Sequence, residues 1–404
     1  MTIADILASR AGELCGLAPC YVYDKARILR EAGAMQKEFS GVGILYSVKA
    51  NPHAPLLALL ARAGLGADAA SAHEVRLALE AGFAPGDIFY SAPGKTRRDL
   101  ERTLGSCTII ADSLNEVRLL ADVSRAQGQT AAIGVRLAPD FGLQGAAGQP
   151  SKFGIALEDL GQLRDILEAA PQLRLSGLHL HLQSQMPHEQ ALRDYYARAC
   201  RLFARACAFL NAPPGFLNFG SGISVAYNEQ RDRRMPLEGL GEALRREAAR
   251  RPELASARLL IESGRRLVCE AGTYLTPVVD IKRSCGKTFV IVQGGANGFL
   301  RPVFAALALE GNPSPRVQEP FFTAPGCFCF DVLAPDGRPR GGERVPVELV
   351  GNLCTACDTL GHDVLIPGEV AVGDLVAVSN AGSYARSLSA LAFAGHEPPR
   401  EVLL

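Results

Sequence analysis

The chain has 404 residues, of which 48% are hydrophobic and 21% charged, and its 42 basic and 42 acidic side chains give a net charge of zero. That apolar content packs a core and excludes disorder as the main state, and the length suits about two domains. Balanced charge excludes a whole-chain attraction to nucleic acid or an anionic membrane, and no run approaches the roughly 20 apolar residues of a bilayer span.

The N-terminus, MTIADILASRAGELCG, carries acids early and lacks a basic segment followed by an apolar one, so no export signal is read. Eleven scattered cysteines then point to reduced thiols and a cytoplasmic location. Further along, strand-like runs alternate with Ala/Leu/Arg-rich helical patterns. Strands are predicted at 42–50, 66–71, 88–92, 107–113, 131–137, 174–183, 216–222 and 259–265. Helices are predicted at 53–64, 72–82, 96–103, 114–126, 158–169, 188–210 and 237–250. Eight βα units over about 240 residues predict an α/β chain with a TIM barrel spanning 26–266. Beyond 267, short β runs (TPVVDIKRS, KTFVIVQGG, VPVELVG, DLVAVSN) alternate with the turns NPSP, APDGRPRGG and IPGEVAVGD. Residues 267–404, with 1–25 returning to them, are predicted to form an antiparallel β domain.

Barrel chemistry sits at the C-terminal strand ends. Lys49, in YSVKANP, ends the first strand. A lysine there either snorkels or is neutralised, one route being a Schiff base with an aldehyde cofactor. In HLHLQS, strand alternation puts His179 and His181 on one face, either as packed core histidines or as barrel-facing groups near Ser184. Gly220-Ser221-Gly222 is a turn whose backbone N–H groups could meet a phosphate, or a mere connection. Glu262 and Arg265 flank a tight turn at Ser263-Gly264, as site residues or a surface ion pair. Cys327, Cys329, Cys354 and Cys357 have CxC and CxxC spacing, but not that of a standard zinc ribbon, so no metal is expected. Lys95, in PGKT, is a P-loop fragment without the upstream glycine and is set aside.

Together, Lys49 in YSVKANP, Asp68 and Glu74 in DAASAHE, HLHLQSQ, FGSG, ESGR, GNLCTACD and AGSY resemble the fold-type III pyridoxal-phosphate decarboxylases, in order along nearly the whole chain. That family includes ornithine, arginine, diaminopimelate and carboxynorspermidine decarboxylases. The resemblance implies pyridoxal 5'-phosphate as cofactor, with Lys49 as Schiff-base lysine and His181 stacked on the ring. It implies that Ser184, Gly220, Ser221, Gly222, Gly264, Arg265 and Tyr384 hold the phosphate side, and that Glu262 pairs with the ring nitrogen. It further implies that Asp68, Glu74 and Arg136 form a polar shell near the lysine. Cys354 either protonates the carbanion or positions the substrate, and it lies with Asp358 on a segment reaching a neighbouring subunit's site, so the implied unit is a homodimer. An acid at 262 favours decarboxylation over racemisation, because a charge opposite the ring nitrogen keeps its proton on. A non-catalytic, partner-binding relative is the alternative.

The chain departs from the family pattern at Gln183, Ser221 and Ser263, each standing where glycine, glycine and proline are usual. More informative is Thr355, where ornithine and diaminopimelate decarboxylases carry an acid for the substrate's distal ammonium. Arg301 resembles the arginine with which diaminopimelate decarboxylases hold a distal carboxylate. The expectation is a conjugated substrate with a carboxylate tail: N-citrylornithine or citryl-diaminopropionate of siderophore pathways, or an aminoacyl unit on a carrier. Free diaminopimelate, ornithine or lysine is the alternative.

Overall fold

The computed structural model describes residues 10–143, 146–228, 233–311 and 326–404. They form two compact units: Leu29–Ser224 with Arg234–Gly264, and the described parts of Met1–Ile28, Val225–Arg233 and Arg265–Leu404. The predicted NPSP turn lies outside the described residues.

Strand β1 (Cys20–Tyr23) belongs to the second unit. The first unit is a closed, all-parallel barrel of β2 (Gly43–Ser47), β3 (Gly66–Ala69), β4 (Ile88–Tyr90), β5 (Thr108–Ala111), β6 (Ala131–Arg136), β7 (Leu173–His179), β8 (Phe216–Asn218) and β9 (Arg258–Ser263). Pairing of Leu45 with Glu262, β2 to β9, closes it. Seven helices, one after each of β2 to β8, match the sequence periodicity within a few residues. Their starts are chemically fixed. Ser71 and Ser113 accept the backbone N–H groups of Glu74 and Glu116, and Thr96 forms a reciprocal capping box with Asp99. Each such cap contributes about 1 kcal/mol.

The barrel interior is a packed layer of Leu45, Phe89, Ile110, Phe216 and Leu260. Phe216 meets Phe89 edge-on at 5.1 Å. Its ring occupies a notch left by Gly134 and Gly177: a Cβ on Gly177 would lie 2.5 Å from the ring.

The second unit is a sheet in the order β12-β15-β10-β11-β13-β14, with β1 paired to β10 and β16. Its strands are β10 (Gly272–Ser284), β11 (Lys287–Val292), β12 (Phe330–Leu333), β13 (Arg344–Gly351), β14 (Thr359–Pro367), β15 (Leu375–Val378) and β16 (Arg400–Leu403). Most ladders are antiparallel, but β11–β13 and β1–β16 are parallel, so the sheet is mixed. Its core packs Leu14, Cys20, Val22, Leu275 and Leu375.

Two expectations are corrected here. A helix, Leu300–Gly311, lies within the predicted β-rich domain, where no helix was placed; Pro302 lies in its first turn, where a missing N–H costs nothing. Residues 225–233 were predicted within the barrel, yet the described ones among them, 225–228 and Arg233, group with the second unit. Tyr227 explains this, because its carbonyl accepts from Asn380 Nδ2 at 3.0 Å and its hydroxyl from Arg265 Nη1 at 2.5 Å.

Candidate active site

Lys49 is not in a strand. β2 stops at Ser47, and Val48–Ala50 forms one 3-10 turn that carries the lysine outward, its side chain 47% exposed. Its Nζ lies 3.8 Å from Asp68 Oδ2. Asp68 comes from β3, is 1% exposed, and accepts from Ser91 Oγ at 2.5 Å. Burial, and then the Glu262 carboxylate, push the Asp68 carboxyl above the usual range. Behind it, Glu74 accepts the Ala70 N–H at 2.7 Å, and burial raises its carboxyl to about 7.

β7 ends at His179, so His181 and Ser184 lie beyond it and strand alternation does not govern them. The two histidines take different work. His179, 1% exposed, places Nε2 3.2 Å from Glu262 Oε1. Glu262 also accepts from Asn218 Nδ2 at 2.9 Å. Burial alone would raise the Glu262 carboxyl, but His179, then His181 and Lys49, hold it well below the usual carboxylate range. Glu262 is therefore a buried, ionised acid at a barrel strand end. His181 accepts the Ser221 N–H on Nδ1 at 3.0 Å, which puts its proton on Nε2. Burial, outweighing the Glu262 charge, lowers the imidazole's pKa to about 3 and keeps the ring neutral.

That hydrogen bond corrects the reading of the glycine turn. The Ser221 N–H is spent on His181, and the Gly220 N–H donates to Asn218 Oδ1 at 2.9 Å. Those two groups hold the histidine and the asparagine rather than standing bare for a phosphate. Gly220 has a φ of 61°, and a Cβ there would lie 2.6 Å from His181 Nδ1, so the approach requires glycine. A Cβ on Gly264 would sit 2.8 Å from Ala50 Cβ.

Arg136, at the end of β6, lies over the Phe153 ring at 4.4 Å and 3.5 Å from Asp112 Oδ1. Asp112 is braced from below: its N–H donates to Glu116 Oε2, which also meets Lys95 Nζ at 3.0 Å. Lys95 further donates to the Ile110 carbonyl at 2.6 Å and is fully enclosed, so it is a structural ion-pair lysine.

Within the second unit, Arg265 donates to the Tyr227 hydroxyl and lies 4.4 Å over the Tyr384 ring. Tyr384 has a φ of 50°, a left-handed conformation that costs a bulky residue about 1–3 kcal/mol. Arg301 joins this group and is not a fork open to a substrate tail. It is 0% exposed, lies 5.1 Å from the Tyr227 ring and 5.2 Å from that of Phe328, and donates to the Ser383 carbonyl at 3.1 Å. Two buried guanidinium groups thus share one tyrosine beside a strained Ser383-Tyr384 turn.

Cys354 and Thr355 are exposed on the β13–β14 hairpin loop. Asp358 is not available to a substrate: it is 2% exposed and accepts the Ala296 N–H at 2.6 Å and the Leu353 N–H at 2.9 Å. Among the described residues no three His, Cys, Asp or Glu side chains gather to hold a metal ion.

The residues present fit pyridoxal phosphate. The barrel unit holds an outward amine, an ionised acid suited to a protonated ring nitrogen and a neutral imidazole. Sequence reasoning missed Asn218, Ser91 and Tyr227, whose roles are hydrogen bonds to groups distant in sequence. Comparison with known proteins agrees. Residues 25–269 match the model of the pyridoxal-dependent decarboxylases, pyridoxal binding domain. A diaminopimelate decarboxylase of Zymomonas mobilis is 31% identical over 333 residues, 78% of this chain and 77% of that protein. An L-glutamyl-[BtrI acyl-carrier protein] decarboxylase of Niallia circulans is 29% identical over 394 residues, covering 95% and 88%. The crystal structure of a Helicobacter pylori diaminopimelate decarboxylase complexed with L-lysine superposes with a TM-score of 0.80 at 24% identity, covering 96% of this chain and 91% of that one, a likeness of fold.

Proposed function

The chain belongs to the fold-type III pyridoxal-dependent decarboxylases, and from that premise we propose that it removes carbon dioxide from an amino acid whose distal end is conjugated and carries no free ammonium. Bound pyridoxal phosphate supplies the electron sink for the carbanion left by carbon dioxide loss. In this reading Lys49 carries the cofactor, and Glu262, kept ionised by His179, holds the ring proton. Neutral His181, oriented by the Ser221 N–H, offers an uncharged face. Arg265 and Tyr384 take the phosphate, with Arg301 bracing the Ser383-Tyr384 turn from behind. Cys354 handles the proton at the α-carbon.

One observation carries the substrate class: among the described residues that flank Cys354 on its loop, none offers a free acid. Thr355 is neutral, and the nearby Asp358 carboxylate is spent on backbone N–H groups. A free distal ammonium would enter unpaired, which costs several kcal/mol in a partly desolvated site. Thr355 also borders an open groove of about 280 Å³, lined by Leu300, Phe304, Leu353 and Phe393 among others, with no charged side chain in its wall. The Niallia circulans relative, whose name gives a glutamyl group on a carrier protein as substrate, supports a carrier-tethered aminoacyl unit. Citryl-diamino acids of siderophore assembly belong to the same class, but Arg301 is too enclosed to favour their carboxylates. The Zymomonas mobilis relative favours free diaminopimelate as the second reading.

A panel of aminoacyl-carrier, citryl-conjugated and free diamino acids, assayed for carbon dioxide release, tests this. We expect kcat/KM for a conjugate to exceed that for free diaminopimelate, ornithine or lysine by at least about tenfold. Efficient turnover of a free diamino acid with every conjugate inert refutes it. We further propose a homodimer in which Cys354 serves the partner's site. Mixing Lys49→Ala and Cys354→Ala proteins should then restore about a quarter of wild-type activity by subunit exchange.

A further inference from the structure

Four of the eleven cysteines are exposed: Cys285, Cys329, Cys354 and Cys357. Only Cys354 and Cys357 share a loop. The hairpin that carries them is closed at its base, where the Gly351 N–H donates to the Asp358 carbonyl at 2.8 Å and Val350 pairs with Thr359. Its interior is pinned by the Asp358 carboxylate, which holds the Leu353 N–H. Between these anchors the chain curves at every residue from 352 to 357. The Asp358 N–H reaches back to the Thr355 carbonyl at 3.3 Å, and the Cys357 N–H to Thr355 Oγ1 at 3.3 Å. Two exposed thiols therefore sit three residues apart on a tightly curved, anchored loop, the spacing of redox-active thiol pairs. The turn closed by that Asp358–Thr355 bond spans 355–358, which places Cys357 inside the reversal and Cys354 immediately before it; a disulfide between them requires Cα atoms about 4.4–6.8 Å apart.

We infer that Cys354 and Cys357 are a disulfide-forming pair, a modification site that reversibly switches off decarboxylation by consuming the Cys354 thiol. The switch rests on the reading of Cys354 as a catalytic residue; the pairing of the thiols does not. With hydrogen peroxide as oxidant, one thiolate attacks the peroxide, becomes a sulfenic acid and releases one water after proton uptake. The second sulfur then displaces the hydroxyl as another water, and the S–S bond forms. Two thiols lose two electrons and two protons, and one peroxide becomes two waters. A dithiol such as dithiothreitol reverses it by exchange.

The test treats the holoenzyme with hydrogen peroxide, removes the oxidant, alkylates with N-ethylmaleimide, digests and weighs the peptide containing 354–357. We expect that peptide to be about 2 Da lighter than its reduced form and to carry no label. Carbon dioxide release should fall roughly 100-fold and return with dithiothreitol. Cys357→Ser should keep the reduced enzyme's activity and abolish the dithiothreitol-reversible mass change, while Cys329→Ser should behave as wild type. Separate labels on both cysteines after oxidation overturn the proposal. An unlabelled, lighter peptide with undiminished activity overturns the switch and locates the failure in the role given to Cys354.

Discussion

Glu262→Gln is the sharpest test of the site. The substitution keeps the side chain's shape and its oxygen for Asn218 Nδ2, but removes the charge that faces His179 Nε2 at 3.2 Å. If the same carboxylate stabilises the ring proton during carbon dioxide loss, its removal should cost about 3–5 kcal/mol, or roughly 100- to 10,000-fold in kcat. Cofactor binding should survive, because Lys49, Arg265 and Tyr384 are untouched. The assay pairs an absorbance scan, which reports the bound cofactor, with carbon dioxide release under saturating substrate. A yellow protein with kcat within about threefold of wild type would refute the assignment, since no electrostatic role of this size leaves the rate unmoved.

Much of the barrel was legible because each unit repeats a local pattern. The helices after β2 to β8 appear where periodicity of 3.6 placed them, with Ser71, Thr96 and Ser113 marking their starts. Charged and polar site residues were also legible, since a lysine, histidine or acid at a strand end needs a chemical reason. What escaped was set by partners distant in sequence. Asp358 looked available until two backbone N–H groups were found on its carboxylate. Ser221 looked like a phosphate donor, yet its N–H belongs to His181. Arg301 looked like a substrate fork, yet it is enclosed among Tyr227, Phe328 and Ser383, and Phe328 and Ser383 lie on stretches of sequence that carry no helical or strand period pointing to it. The 3-10 turn at Lys49 escaped for the opposite reason, because Val48-Lys49-Ala50 continues an apolar strand pattern without a break.

Three further outcomes follow. Lys49→Ala should abolish the yellow absorbance, borohydride trapping and decarboxylation while leaving the circular dichroism spectrum unchanged; a reducible cofactor adduct in that variant would displace Lys49 from its role. Phe216→Ala should destabilise the barrel by about 3–5 kcal/mol in denaturant titration, since its ring fills the Gly134–Gly177 notch; a loss under about 1 kcal/mol would mean that the interior collapses to fill the space. Glu74→Gln should flatten the dependence of stability on pH. The folded-state carboxyl titrates at about 7 against 4.5 for an ordinary glutamate. Between those values the folded protein keeps a proton that the unfolded chain has released, so stability falls as pH rises through this window. The full shift corresponds to about 3 kcal/mol, but Glu74 is only partly buried, and solvent screening reduces this to about 1–2 kcal/mol. Glutamine retains an oxygen for the Ala70 N–H and carries no charge to bury, so its Tm should drop between pH 5 and pH 8 by about 2–6 °C less than that of wild type. Identical pH slopes in the two holoenzymes would show that the Glu74 carboxyl is already ionised in the folded protein at pH 5, with the Ala70 N–H and the nearby Lys49 charge outweighing burial.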